Sequence, residues 1–155
     1  MSVLPAPRLE HVADLAIEIA QAIEVGETGI GERRVIPIIG GTVKGKRLNG
    51  RIMPAGADFQ IIRATGIAEL VASYVIEADN GALIHIENTG IRHGPPELIA
   101  KLRRGEEVDP SLIYFRTAPR FETASLEHAF LMRHLFIGIG ARFPTSVALG
   151  VWMVL

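Results

Sequence analysis

Asp58 stands in GADFQ, behind a glycine-rich turn and at the head of an alternating run, so a strand period of two puts Gln60 on the same face. A carboxylate placed there can act as a general base or hold a ligand hydroxyl. It can equally bond the backbone amides of its own turn, as Asp does in Asx motifs. Tyr74, His85 and Glu87 fall in two runs on either side of Asp79-Asn80-Gly81-Ala82. A two-residue type I′ turn, with Asn80 and Gly81 both at positive φ, pairs Glu77 with Ile84, Val75 with Ile86 and Ser73 with Asn88 on one face. The other face then pairs Ala78 with Leu83, Ile76 with His85 and Tyr74 with Glu87. If that face points inward, a phenol, an imidazole and a carboxylate meet in one cavity, where burial raises the carboxylate pKa. If it points outward, Ile84 and Ile86 fill the core and the polar trio is solvated. Arg116 in YFRT and Glu122 in FET share a face by parity, with Pro119 expected to break the run between them; Arg116 either clamps an anion or pairs with a carboxylate inside the sheet. The candidates are thus Asp58, Glu87 and Tyr74 for catalysis, and Gln60, His85, Arg116 and Glu122 for ligand binding. Arg63, Arg133 and Arg142 read as surface or structural charges.

Other chemistries find less support. The five histidines show neither HxH nor HExxH spacing, so no metal site is expected. GxSxG is missing, and neither Ser73 nor Ser125 sits in a nucleophile-elbow context. Gly40, Gly41, Gly45 and Gly50 lie close to Lys44, Lys46 and Arg47, but neither the P-loop order nor GxGxxG is present. Zero cysteines exclude disulfides and thiolate chemistry. No cofactor is expected.

The elements that must position these groups follow from composition and punctuation. The chain has 155 residues, 48% of them hydrophobic and 21% charged, which suits one folded domain over residues 1–155. Sixteen basic against seventeen acidic residues give a formal charge of −1, so nothing draws the whole chain to nucleic acid or an acidic membrane. Sixteen glycines and nine prolines break it into short apolar runs, the pattern of an all-β barrel or sandwich. From Leu15 to Val25 alternate residues are apolar, which predicts a strand; a helix capped by Asp14 competes, since Leu15, Ile19 and Ile23 also stand at i, i+4. Pro37 places its strand at an edge or a bulge. One helix is expected over 95–104, with Pro95 and Pro96 in its first turn and Gly105 as its stop. SLIYFRT, HLFIGIGAR and SVALGVWMVL complete the strands. The last two fall in the apolar stretch Leu135–Leu155, which has the length of a membrane span but carries Arg142 and Pro144 near its middle. No export signal is visible at the start, so a cytoplasmic location is expected.

The runs GGTVKGKRLNGRIMPAGADFQ, YVIEADNGALIHIENTGIR and YFRTAPRFET resemble domain-of-unknown-function family 3237, also catalogued as uncharacterised protein family 0311. The resemblance extends from about Leu15 to Leu155. It implies an antiparallel closed β-barrel of lipocalin-like or allene-oxide-cyclase-like form, with an aspartate at the place of Asp58, and no established general activity. The chain departs from the family pattern at Phe59 and Phe130-Leu131-Met132, where a tryptophan and a Trp-Leu-Asn run are usual, and at Trp152, where a tyrosine is common.

Two functions that use the candidate residues remain open, and one that does not. One is a barrel that binds a small molecule in a mostly apolar cavity with a few polar groups, the ligand being an aromatic or terpenoid-like metabolite or an organic acid. The other is a cofactor-independent isomerase, cyclase or hydrolase in which Asp58 or Glu87 moves a proton. A purely assembling role is a third. The expected partner is a small molecule rather than nucleic acid or membrane, and abundant apolar sheet faces lead us to expect a homo-oligomer.

Overall fold

The computed structural model describes residues 2–155. The strands are β1 (Leu9–Ile19), β2 (Ile23–Glu27), β3 (Glu32–Lys44), β4 (Gly50–Ile52), β5 (Ala57–Ile62), β6 (Ala68–Ala78), β7 (Leu83–His93), β8 (Tyr114–Thr123), β9 (Phe136–Arg142) and β10 (Ser146–Val154). Among the described residues a single α-helix, α1 (Pro96–Arg103), lies between β7 and β8. β1 pairs with β10, and the ladder continues through β9, β8 and β7 to β6. β6 reaches β3 through β5 along one half of its length and through β4 along the other, and β3 returns to β1. The result is a closed antiparallel barrel of eight strand positions, β4 and β5 sharing one, with β2 appended to the edge of β3. Closure removes the exposed edges that an open sheet would leave.

Closure depends on close approach between β1 and β3. A Cβ at Gly41, whose φ is +142°, would stand 2.1 Å from the carbonyl oxygen of Ala16, so only glycine lets the two backbones meet there. Pro37 falls between the Ile23–Val35 pair and the Ile19–Ile38 pair, where the ladder on that side of β3 is interrupted. The missing N–H therefore removes no ladder bond, as expected of a proline in a sheet.

Along β1 the strand expectation holds: Leu15, Ile17 and Ile19 are buried while Asp14, Ala16 and Glu18 are exposed. The predicted single run to Val25 does not. The strand ends at Ile19, and the chain restarts as β2 with Ile23 and Val25 more than half exposed.

The β6–β7 hairpin corrects the predicted register. Asn80 does not adopt positive φ; Gly81 does, at +84°. Ala78 N–H donates to the Ala82 carbonyl at 2.8 Å, and Gly81 N–H donates to the Ala78 carbonyl at 2.8 Å, so the loop has three residues ending in a left-handed glycine. The added loop residue shifts every pair by one. Tyr74 faces Ile86, Val75 faces His85 and Ser73 faces Glu87. Because side chains alternate with period two, this slip separates Tyr74 from His85 and Glu87: Tyr74 points inward with Ile84, Ile86 and Asn88, and the other two point outward.

The helix matches its expected span to within a residue at each end, with Gly105 at φ +78° as its stop. It lies across one end of the barrel. Arg103 reaches Glu32 at the start of β3, and the buried Leu102 lines a recess together with Phe115 of β8 and Arg142 of β9. The apolar C-terminal stretch forms β9 and β10, turned by a Phe143 to Ser146 backbone bond. Among the described residues no helix is long and apolar enough to cross a membrane.

Candidate functional site

The barrel interior divides along its axis. At the hairpin end, Val12, Val43, Ile52, Ile76 and Ile84 are almost wholly buried against Leu131 and Val151. At the α1 end, β5 to β9 carry polar side chains inward. β5 enters from the turn before Ala57, and its alternation points Asp58 and Gln60 inward and leaves Phe59 43% exposed. Across the barrel wall, Asp58 stands opposite Ala72 of β6, which stands opposite Asn88 of β7. One step toward α1, Gln60 leads through Leu70 and Gly90 to Thr117 of β8. One further step brings Ala68, Arg92 and Phe115 into a row. Arg142 comes in from the end of β9.

These side chains enclose a cavity of about 40 Å³, room for roughly three water molecules. Its apolar wall includes Ile17, Ile19, Ile36, Ile38 and Leu149. A Cβ on Gly138 would fall 2.1 Å from the Thr117 hydroxyl, so glycine on β9 is what leaves the Thr117 side chain its place.

Within the cavity the hydrogen bonding is incomplete. Gln60 Nε2 donates to Asp58 Oδ2 at 2.9 Å. Asp58 Oδ1, Gln60 Oε1, Tyr74 Oη, Asn88 Oδ1, Arg92 Nε, Thr117 Oγ1 and Arg142 Nη1 are buried with no partner. Among the described residues these seven are all the buried side-chain polar atoms left unpaired, and every one belongs to a residue lining this cavity. Native interiors satisfy nearly all such atoms, so their concentration in one place marks a site that meets something from outside the chain.

Charge is arranged with equal asymmetry. Burial pushes the Asp58 carboxyl above the usual carboxylate range, against the Gln60 hydrogen bond and the guanidiniums of Arg92, Arg142 and Arg34, which pull it down. Tyr74 is pushed up by burial and by the nearby Asp58, and stays a neutral phenol. Arg92 is lowered by burial to about 10 and remains cationic at neutral pH. Burial also lowers Arg142. Arg34 is balanced by Glu24, whose carboxylate oxygens accept from its Nε at 2.8 and 3.1 Å.

Of the sequence candidates, the structure brings together Asp58, Gln60 and Tyr74. The other four lie on the outer wall. His85 Nε2 meets Ser73 Oγ at 2.9 Å, and Glu87 is exposed between Ser73 and Arg120. Arg116 is exposed, donates to the Phe115 carbonyl and lies over the Tyr114 ring at 5.2 Å, and Glu122 stands opposite His85. Arg116 and Glu122 do share a face, as parity requires, but β8 runs unbroken through Pro119 and turns that face outward. Arg142, read from sequence as a surface or structural charge, lines the cavity. Asn88, Arg92 and Thr117 were not singled out. Their signal was a polar residue at an alternate position among inward apolar ones: Ile84, Ile86, Asn88 and Arg92 all have the same parity. Among the described residues no three His, Asp or Glu side chains come together as a metal site would need.

The chain is matched over residues 7–154 by the family model described as protein of unknown function (DUF3237). A curated relative from Rhodopseudomonas palustris (strain TIE-1), named UPF0311 protein, is 50% identical over 97% of this chain and 99% of its own. A solved structure of a conserved protein of unknown function from Rhodopseudomonas palustris is 48% identical, with a TM-score of 0.95 over 98% of this chain and 100% of the other. A structure described as an enzyme from Penicillium herquei shares the fold at a TM-score of 0.74 and 17% identity, covering 100% of this chain and 99% of that one. A near-complete family match and relatives of this identity, set beside the closed barrel already described, establish that the chain belongs to the DUF3237, or UPF0311, family.

Proposed function

We propose that the protein binds a small organic molecule in the cavity at the α1 end of its barrel. The observation that carries this reading is that all seven unpaired buried polar atoms among the described residues face that one space. An aliphatic wall with a few convergent donors and acceptors is the usual make-up of a small-molecule pocket. Native mass spectrometry of protein purified without refolding tests it: the expected result is an adduct of small-molecule mass, lost in an Asn88→Leu, Thr117→Val double variant. Wild-type protein that carries no adduct, and that binds no member of a metabolite library in thermal-shift screening, would overturn it.

A second reading adds proton transfer to binding. It is favoured by Asp58, whose Oδ2 is held by Gln60 while Oδ1 is left free, and whose buried carboxyl is raised toward the working range of a general base. Tyr74 is a neutral donor in the same cavity, and Arg92 and Arg142 are placed to stabilise an oxyanion as it forms. The chemistry this set supports is cofactor-independent isomerisation or cyclisation, in which Asp58 takes a proton from carbon or oxygen and the guanidiniums hold the resulting enolate or alkoxide. The barrel of the Penicillium herquei neighbour belongs to a protein described as an enzyme, so the fold can carry a catalyst. Once a substrate is in hand, Asp58→Asn is expected to lower kcat with little change in KM; an unchanged kcat would remove this reading and leave binding standing.

A further inference from the structure

Three arginines act on Asp58, but they are not equivalent. Arg34 donates to both oxygens of Glu24, so its charge is met within the protein. Arg92 and Arg142 have no carboxylate partner among the described residues, and each keeps a buried guanidinium nitrogen with no acceptor. Arg92, 6% exposed, is oriented by the Phe115 ring, with its guanidinium carbon 5.6 Å from the ring centroid. A guanidinium cannot escape this cost by losing its proton at neutral pH, because its pKa is too high. Asp58, whose carboxyl burial makes reluctant to ionise, offsets at most one of these two positive charges, so the cavity lacks at least one negative charge to be balanced. A buried surplus of charge is unfavourable unless it is paired and hydrogen-bonded.

We infer that the ligand of this cavity is a monoanionic carboxylic acid whose carboxylate is held by Arg92 and Arg142 and whose apolar body lies against Ile17, Ile36 and Ile38. The inference rests on the small-molecule reading above and names its ligand class. Planar guanidiniums present paired N–H donors that match the two oxygens of a carboxylate. The rest of the wall is aliphatic apart from the Phe115 ring, with only amide, hydroxyl and phenol groups besides Asp58. Such a wall suits a hydrocarbon body bearing one charged group rather than a phosphate dianion, which needs more donors and a wetter surround. A neutral ligand would leave the two guanidiniums as they are.

The test compares carboxylates with their uncharged amides. Calorimetric titrations of the wild-type protein with acetate, propionate and butyrate, whose size suits the cavity, are set against acetamide, propionamide and butyramide at fixed ionic strength. The expected result is that at least one acid binds and that its amide binds at least tenfold more weakly. Arg92→Met and Arg142→Met are each expected to weaken binding of that acid tenfold or more without altering amide binding. Arg63→Met, on the surface beside Glu69, is expected to change nothing. Amides that bind as tightly as acids would overturn the inference while leaving the cavity reading intact. Acid binding that is indifferent to both cavity arginines would also overturn it, as would the failure of every acid to bind, and the native mass experiment then judges the cavity on its own. Should Arg92→Met fail to fold, the acid and amide comparison on the wild-type protein still decides.

Discussion

At the hairpin end of the barrel, Ile52, Ile76 and Ile84 are at most 2% exposed and are surrounded by other aliphatic side chains. At the α1 end β5 and β7 bring in Asp58, Gln60, Asn88 and Arg92, leaving an atom of each without a partner. β6 shows the change within one strand: Ile76 is wholly core, and Tyr74, two residues earlier on the same face and packed in the same core, also lines the cavity. Both regions obey the same period of two and the same closure. They differ in what the inward position holds, and therefore in whether the interior is complete by itself. The hairpin end is packed as a core. The α1 end is arranged for a molecule that is not part of the chain, and the stability of the first region lets the second keep groups that disfavour folding.

The sharpest way to break this comparison is to truncate the core. Ile76→Ala removes three buried carbons where neighbours cannot close in, and is expected to cost about 2–5 kcal/mol in urea unfolding. A loss under 1 kcal/mol would mean that the hairpin end is not the stabilising half. The opposite sign is expected across the boundary. Asn88→Leu keeps side-chain size while removing a buried oxygen that has no donor, so stability is expected to hold or to rise by about 1 kcal/mol, with ligand binding lost. A destabilisation as large as that of Ile76→Ala would show Asn88 to be a structural residue.

Asp58 sharpens the comparison through pH. Its folded pKa is raised by burial, so above its unfolded value of about 3.9 the folded protein retains a proton that the unfolded chain has released. The stability associated with that proton is present at low pH and is lost as pH rises through the folded pKa. Arg92, at about 10, and Arg142 stay charged through this window, and Tyr74 stays neutral. Asp58→Asn is therefore expected to gain on the wild type as pH increases, and urea melts from about pH 4 to about pH 8 measure the gap. A gap that narrows with pH would reverse the assignment of Asp58 as a carboxyl disfavoured by burial.

Much of this architecture was open to local reasoning. Glycine-bounded apolar runs announced a barrel, and Pro95, Pro96 and Gly105 bounded the helix, because these signals act within a few residues. Asp58 and Gln60 were found for the same reason, being two apart on one strand. The hairpin register depended on whether Asp79 belongs to the strand or to the loop, and the Asn-Gly pair suits both loop lengths once Asn80 is free to keep negative φ. Arg92 and Arg142 were hidden for a different cause. They lie on β7 and β9, fifty residues apart in sequence, and they meet Asp58 of β5 only because the barrel closes.

The smallest effect is expected where the slipped register would have placed the largest. With a two-residue loop, Glu87 would stand opposite Tyr74 and share its cavity. With the three-residue loop, Glu87 stands opposite Ser73 on the outer wall, and His85 bonds Ser73 rather than any cavity residue. Glu87→Gln, Glu122→Gln and His85→Ala are thus expected to change stability by no more than about 0.5 kcal/mol and to leave ligand binding as in the wild type. The decisive readout is binding, because a solvated surface group and a cavity group can cost equally little in stability. If Glu87→Gln weakened the ligand as Asn88→Leu is expected to, the register of β6 against β7 would be one residue out, and Ile84, Ile86 and Asn88 would have to exchange faces with His85 and Glu87. That exchange would expose the two isoleucines, which the packing of the hairpin end forbids.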